Sequence, residues 1–430
     1  MAPVDTSAMS PFEGVDFFSD ESLHDDPYPF LDHLRETRGP VWIEPTYGVA
    51  MVTGHDEEVA VLRDHQTFSS INAPTGPFPG LPEPVEGDDA NAVIDRCREQ
   101  MPMHEFMVCM DPPQHNDYRG ILSRFFTPGR LKKNEDFMWR LADEQMAPFV
   151  TTGRCEFSGQ YSSPFAGLVI ADLLGVPPED MPGFRDWFEQ QLEHIGEQTI
   201  TSDPMTFFQT FFERYINERR AAPGDDVLSA IATATFADGS VPEVAALARE
   251  AAFVFAAGQE TTVRLLTFSL RHLAEHPDAQ DTLRRDRTLI PNFVEEMLRL
   301  ESPIKVHFRM ARRTTELGGV TIPAGTSLAL LNGAANRDPR RFPSPHEVQI
   351  DRANAREQLA FSRGVHTCLG QSLARAEGRV TIERVLDRMR DIRVDEGVHG
   401  PAEERRWTYL PTWLFRGLTE LHLEFTPIGG

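Results

Sequence analysis

Residues 361–370, Phe-Ser-Arg-Gly-Val-His-Thr-Cys-Leu-Gly, hold the side chains best suited to chemistry. Cys368 lies between Gly364 and Gly370 and leads into a helical pattern, with Leu369, Leu373, Ala376 and Val380 at spacings of three and four. A thiolate at a helix start is favoured by unpaired backbone N–H groups and the positive dipole end. Glycines let backbone approach a flat ligand closely. The arrangement suits a soft, anionic metal ligand. A buried structural cysteine is the plainer reading of a lone cysteine, but the whole Phe-x-x-Gly-x-His-x-Cys-x-Gly run outweighs it. A cysteine hydrolase is disfavoured, because His366 stands only two residues away and is poorly placed as an oriented base.

Three further groups carry chemistry. Ala257-Gly258-Gln259-Glu260-Thr261-Thr262 sets an acid and hydroxyls inside an apolar helical run, where polar groups are costly unless partnered. Gly258 leaves room for a small molecule, and Glu260 with Thr261 reads as a proton relay. A threonine bonded back to the preceding turn reads the same residues equally well. His115 and Arg119 are four apart on one helix face and can clamp an anion. Glu296 and Arg299, three apart, can pair on theirs.

These groups need a large, mostly helical body. The chain has 430 residues, 40% of them hydrophobic and 25% charged, enough to bury a sizeable core. Lys+Arg 42 against Asp+Glu 66 gives a net charge of −24, which argues against nucleic acid as a partner. Cysteines at 97, 109, 155 and 368 form neither a zinc ribbon nor a disulfide framework. The early residues lack the basic, apolar character of a leader, and no apolar run approaches the ~18 residues of a membrane span. The expectation is a soluble, monomeric protein of the reducing cytoplasm.

Residues 40–55 predict two short strands around Tyr47-Gly48. Residues 72–92, rich in Pro, Gly and Asp, predict a long irregular loop, taken as mobile to about residue 110. The pattern is then mostly helical to about residue 302. A buried helix is predicted from about Pro242 to His276, and at about 1.5 Å per residue it crosses the whole molecule. Strand signals return at Leu317–Ile322 and Ser327–Leu331. The fold class is mainly α with small β-sheets, in one domain over 1–430, with a β-rich part at about 20–72 and a helical core at about 111–302.

With these motifs in view, the sequence resembles the cytochrome P450 family of haem-thiolate monooxygenases, over about residues 20–425. The resemblance implies haem b (iron protoporphyrin IX) held by Cys368 in the loop 361–370, with Phe361 packed near the sulfur and Gly370 closing the loop. A thiolate ligand favours O–O cleavage over reversible oxygen carriage. His115, Arg119, Arg309 and His366 are implied at the haem propionates. Glu260 and Thr261 are implied as the acid–alcohol pair that supplies protons for oxygen activation. Glu296 and Arg299 become a structural pair, with Arg352 as the arginine completing it.

The same resemblance implies an enzyme using O2 and two electrons. No G-x-G-x-x-G follows a strand and no second cysteine cluster exists, so electrons from NAD(P)H must arrive through a separate ferredoxin reductase and ferredoxin. Arg119, Arg124, Arg130, Lys132 and Lys133 form an acid-free basic stretch that would dock the ferredoxin on the cysteine side. Candidate substrate contacts are Phe188, Phe208, Val254, Ala257, Val306 and Phe308, with further aromatics at Trp407–Leu414. They suit an apolar medium-sized substrate, a terpenoid or steroid in preference to a fatty acyl chain. Alternatives are a peroxide-using or rearranging member of the family, or a non-catalytic haem or ligand binder. The Glu260–Thr261 pair argues against both.

Overall fold

The computed structural model describes residue 12, residues 14–184 and residues 204–429. Among these the helices are α1 (Tyr28–Arg38), α2 (His55–Arg63), α3 (Asn91–Cys97), α4 (Gln114–Leu122), α5 (Pro128–Met146), α6 (Ser163–Leu174) and α7 (Pro204–Ala221). They continue with α8 (Val227–Ala232), α9 (Val244–Glu275), α10 (Pro277–Arg285), α11 (Ile290–Leu300), α12 (Asn332–Ala335), α13 (Gln371–Arg388) and α14 (Glu396–His399). Helix α9 is the predicted buried helix; α6, α7, α11 and α13 pack around it. Their apolar stripes merge into one large core, running from Met107 and Leu168 through Phe255 and Leu266 to Val385.

The strands are β1 (Val41–Glu44), β2 (Val49–Val52), β3 (Phe68–Ser69), β4 (Arg154–Glu156), β5 (His307–Ala311), β6 (Thr315–Leu317), β7 (Val320–Ile322), β8 (Ser327–Leu330), β9 (Met389–Val394) and β10 (His422–Pro427). A five-stranded sheet has the order β1-β2-β8-β5-β3, a three-stranded sheet is β4-β10-β9, and β6–β7 is a hairpin. The β1–β2 pair turns at Tyr47-Gly48, with Gly48 at φ +68°, where a residue without Cβ is unstrained. The irregular loop expected at 72–92 runs to Ala90, just ahead of α3, and the chain from there to residue 110 contains α3 and short 3-10 turns at Arg98–Gln100 and Met107–Cys109. Ile94 and Cys97 of α3 are fully buried, and that burial orders the segment. Among the described residues no helix is long and apolar enough to cross a membrane.

Glu296 and Arg299, both without solvent exposure, form the predicted pair on α11. Arg299 Nε donates to Glu296 Oε1 at 2.7 Å and Nη2 to Oε2 at 3.0 Å. Arg352 Nε reaches Glu296 at 3.0 Å, as does the backbone N–H of Gln349. The remaining guanidinium N–H groups reach the carbonyls of Asn336, Pro345 and Glu347 from Arg299, and those of Pro343, Ser344 and Glu347 from Arg352. Burying three charges is tolerable because the network is so fully bonded. Glu296→Ala, which leaves two buried guanidiniums uncompensated, is expected to lower stability by about 3–5 kcal/mol. Denaturant unfolding checks this, with the exposed Glu21→Ala as control.

Candidate haem-thiolate site

The cysteine loop hangs from the Glu296 region. Leu359 N–H donates to Asn336 Oδ1 at 2.7 Å, and Gln358 Nε2 to Glu295 Oε2 at 3.1 Å. Within the loop, Cys368 N–H donates to the Phe361 carbonyl at 2.9 Å, and Thr367 N–H to the Gly364 carbonyl at 3.1 Å. Gly364 has φ +73°, and a Cβ there would overlap the Leu62 carbonyl oxygen of α2. Only glycine fits. Gly370 has φ −81°, and a Cβ there would stand 3.8 Å from Cys368 Sγ and 3.9 Å from Phe126. Ser362, by contrast, sits at φ +57°, a conformation glycine adopts more readily.

Cys368 is accessible, at the mouth of α13. The surrounding protein pushes its thiol pKa up, opposed by the backbone N–H groups of Gly370 and Gln371 and by Arg119 and Arg375. A metal cation at the sulfur would favour the thiolate outright. Phe361 packs beside the loop with the Arg375 guanidinium 4.6 Å over its ring, and Arg375 in turn donates to Glu295 at 2.6 Å.

The four sequence-predicted propionate contacts gather on one side. His115 and His366 lie with ring centroids 4.1 Å apart, and the Nε2 of each is buried without a partner. Burial holds both imidazoles below their usual pKa, His366 strongly so, with Arg309, His115 and Arg119 adding repulsion there. Arg119 Nη2 donates to the Thr367 carbonyl at 2.6 Å, fastening α4 to the cysteine loop. Arg309 donates to the Phe308 carbonyl at 2.6 Å, and burial brings it down to about 10.

Two members of this group were not found from sequence. His307, two residues before Arg309 in β5, shares its strand face and has a third buried, unpartnered Nε2. Glu58 on α2 is fully buried with neither carboxylate oxygen partnered; burial raises it to about 8, partly offset by Arg309 and Arg363. The period-two alternation of β5 held the signal for His307, whereas a lone glutamate on an amphipathic helix gave none.

The same alternation turns Val306 and Phe308 the other way. Both are fully buried in a second cluster with Phe17, Leu31 and Leu331, so they are core, contrary to the expectation of substrate contact. Phe208 packs α7 onto α9, its ring 4.1 Å from Phe255 and 5.6 Å from Phe184, and is buried as well. Phe188 lies outside the described residues. Val254 and Ala257 remain partly or fully accessible in the middle of α9. Gly258 faces away from them: a Cβ there would press on Ile170 of α6 at 3.2 Å, so it serves close helix packing and not the approach of a small molecule.

Glu260 and Thr261 do not touch each other through their side chains. Thr261 Oγ1 donates to the Ala257 carbonyl at 2.8 Å, the back-bonded geometry. Glu260 is paired with Arg264 one turn on, through Nε at 2.9 Å and through Nη2. On the buried side Thr262 Oγ1 donates to Glu377 at 3.2 Å, where burial lifts the Glu377 carboxyl to about 8.

This donor set fits a haem: an accessible thiol at a helix start, and three buried imidazole nitrogens without partners beside two arginines, ready for carboxylates. A family model described as cytochrome P450 matches residues 196–406. A putative cytochrome P450 140 of Mycobacterium tuberculosis is 32% identical, covering 92% of this chain and 91% of the relative. The solved structure of CYP150A6 of Mycobacterium marinum, in its substrate-free form, is 54% identical with a TM-score of 0.91, covering 97% of this chain and 100% of that one. CYP109E1 of Bacillus megaterium, solved in complex with testosterone, is 26% identical with a TM-score of 0.74, covering 93% and 99%.

The chain belongs to the cytochrome P450 family. It has that family's fold and is a haem-thiolate monooxygenase by kinship, with protoporphyrin IX haem as cofactor.

A carboxyl whose folded pKa stands above its unfolded value destabilises the fold as pH rises between the two. Glu58→Gln is therefore expected to match the parent near pH 4.5 and to gain on it up to pH 8, by at most about 1.4 kcal/mol per pH unit. Thermal unfolding at pH 5 and pH 8 checks it; an equal shift at both would contradict the buried, protonated carboxyl.

Proposed function

We propose that this chain inserts one oxygen atom from O2 into an apolar, medium-sized substrate, using electrons from NAD(P)H passed through a ferredoxin reductase and a ferredoxin. The observation that carries the reading is the accessible Cys368 thiol joined by Arg119 to a helix that brings His115 beside His366. Haem held there by the Cys368 thiolate would supply the oxygen activation. His115, Arg119, Arg309 and His366 would hold the propionates, and His307, on the strand face of Arg309, would donate to the same edge. Arg375 orients Phe361 by the sulfur.

Thr261 holds a hydroxyl on the accessible face of α9, and Glu260 is the acid that returns its proton. In the resting geometry each is engaged elsewhere, so proton delivery requires Thr261 to leave the Ala257 carbonyl and Glu260 to shift on Arg264. Hydroxyl rotation is cheap, and the ion pair is partly open to solvent. The intact acid–alcohol pair supports monooxygenation over the peroxide-using, rearranging and non-catalytic alternatives.

Val254 and Ala257 offer the substrate an apolar surface with no charge. That supports a steroid or terpenoid in preference to an acid, as does the testosterone bound to CYP109E1. On the cysteine side, Arg124 donates to the Ala230 carbonyl at 2.7 Å and Arg130 to that of Leu173, whereas Lys132 and Lys133 are exposed without ion pairs among the described residues. Of the five basic residues, these two lysines with the exposed Arg124 are the ones free to steer an acidic ferredoxin.

Thr261→Ala is expected to keep haem and steroid binding while product per NADH falls at least several-fold and peroxide rises. Unchanged coupling would rule the hydroxyl out of proton delivery. Lys132→Gln with Lys133→Gln is expected to slow electron transfer from an acidic ferredoxin several-fold at low salt, the difference shrinking at high salt as charges are screened. Stopped-flow reduction at two ionic strengths measures it, and an unchanged low-salt rate would move the docking face elsewhere.

A further inference from the structure

Arg264 is buried in the middle of the molecule and makes two unlike attachments. One is Glu260, four residues earlier on α9. The other is the Leu418 carbonyl, accepting from Nη1 at 2.8 Å, across a separation of 154 residues. Its stem passes directly over Gly417: a Cβ there would overlap Arg264 Cδ and stand 2.6 Å from Nε and 3.0 Å from Cγ. Among the described residues Arg264 has no other carboxylate partner.

Gly417 and Leu418 close a loop. Tyr409 and Leu418 form a β-bridge, and Leu410 N–H donates to the Gly417 carbonyl at 2.9 Å. The far side of that loop lies against the chain leading into β5: Ile304 bridges Phe415, and Lys305 N–H donates to the Leu414 carbonyl at 2.8 Å. The loop thus connects the segment bearing His307 and Arg309 to the acid on α9. A guanidinium with one carboxylate and one carbonyl fixed in a fork has little freedom, so displacing the carbonyl must displace the carboxylate.

We propose that Arg264 and Gly417 are positioning residues for Glu260, and that the 409–418 loop sets the acid's place through the Leu418 carbonyl. A shift of this loop then moves Glu260 relative to Thr261, linking the loop's position to proton delivery. The inference deepens the monooxygenase reading and rests on it. Arg264 and Gly417 touch neither substrate nor reacting atoms; their influence passes entirely through Glu260.

The test uses the haem-loaded protein with an acidic plant-type ferredoxin, its reductase and NADPH, in H2O and D2O, with testosterone as the probe steroid. A parent enzyme that binds no haem, or oxidises no NADPH in this mixture, would fail the monooxygenase reading itself, independently of the variants. Given an active parent, Arg264→Ala is expected to raise peroxide released per NADPH at least threefold and to change the solvent isotope effect on NADPH oxidation at least twofold. Arg264→Lys restores part of both. Gly417→Ala, whose methyl group displaces the Arg264 stem, is expected to reproduce the Arg264→Ala effects. Hydrogen exchange at the amides of residues 409–418 is expected to speed up in Arg264→Ala, a readout independent of turnover. A lowered melting temperature with peroxide yield and isotope effect within about 1.5-fold of the parent in both variants would overturn the proposal, since a purely structural arginine behaves that way. A normal Gly417→Ala beside a defective Arg264→Ala would overturn the loop's part in it.

Discussion

The Glu296 carboxylate is the point from which the rest of the site is hung. It sits without solvent between Arg299 and Arg352, and those guanidiniums carry their remaining N–H groups to carbonyls of the segment 336–347. An isolated carboxyl in that position would give up its charge by taking a proton. With all five N–H groups of Arg299 and most of those of Arg352 bonded, the same charges instead dictate the course of an otherwise irregular segment. Asn336 then holds Leu359, and the neighbouring acid Glu295 holds Gln358 and Arg375. Two adjacent glutamates on α11 thus fix both the entrance of the cysteine loop and the helix beyond it.

Around that anchor the site is sharply asymmetric in charge. A protein with a net charge of −24 gathers Arg119, Arg309 and three histidines at one edge of the cysteine loop, and burial keeps at least two of those histidines, His115 and His366, short of full protonation. Neutral imidazoles with unpartnered nitrogens adapt to carboxylates at lower cost than fixed charges would, while the arginines supply the permanent attraction. Glu58 answers from behind Arg309 as a neutral acid at ordinary pH, so it does not cancel that attraction.

Much of this was legible from residue types at fixed spacing. His115 with Arg119, Glu296 with Arg299, and the run 361–370 each lie on one element, where helical or turn geometry converts spacing directly into proximity. What sequence did not settle was which way a residue faces once its element is packed against others. Val306 and Phe308 read as pocket residues from their apolar and aromatic character, yet the alternation of β5 sends them to the second core. Gly258 read as room for a ligand, yet the missing Cβ serves Ile170. The Glu260–Thr261 pair shows a further limit: adjacent residues on a helix point about 100° apart, so a relay written in sequence still depends on partners such as Arg264 and the Ala257 carbonyl. Arg264 meets Leu418 across a tertiary contact that no local pattern announces.

The central claim is that Cys368 ligates haem iron, and the absorption spectrum of the purified protein, reduced with dithionite and exposed to carbon monoxide, tests it most directly. A strongly red-shifted Soret band, absent in Cys368→Ser, is the result this account requires. A haem-supplied, folded protein that takes up no haem, or one whose Soret band stays at the histidine-type position, would contradict it.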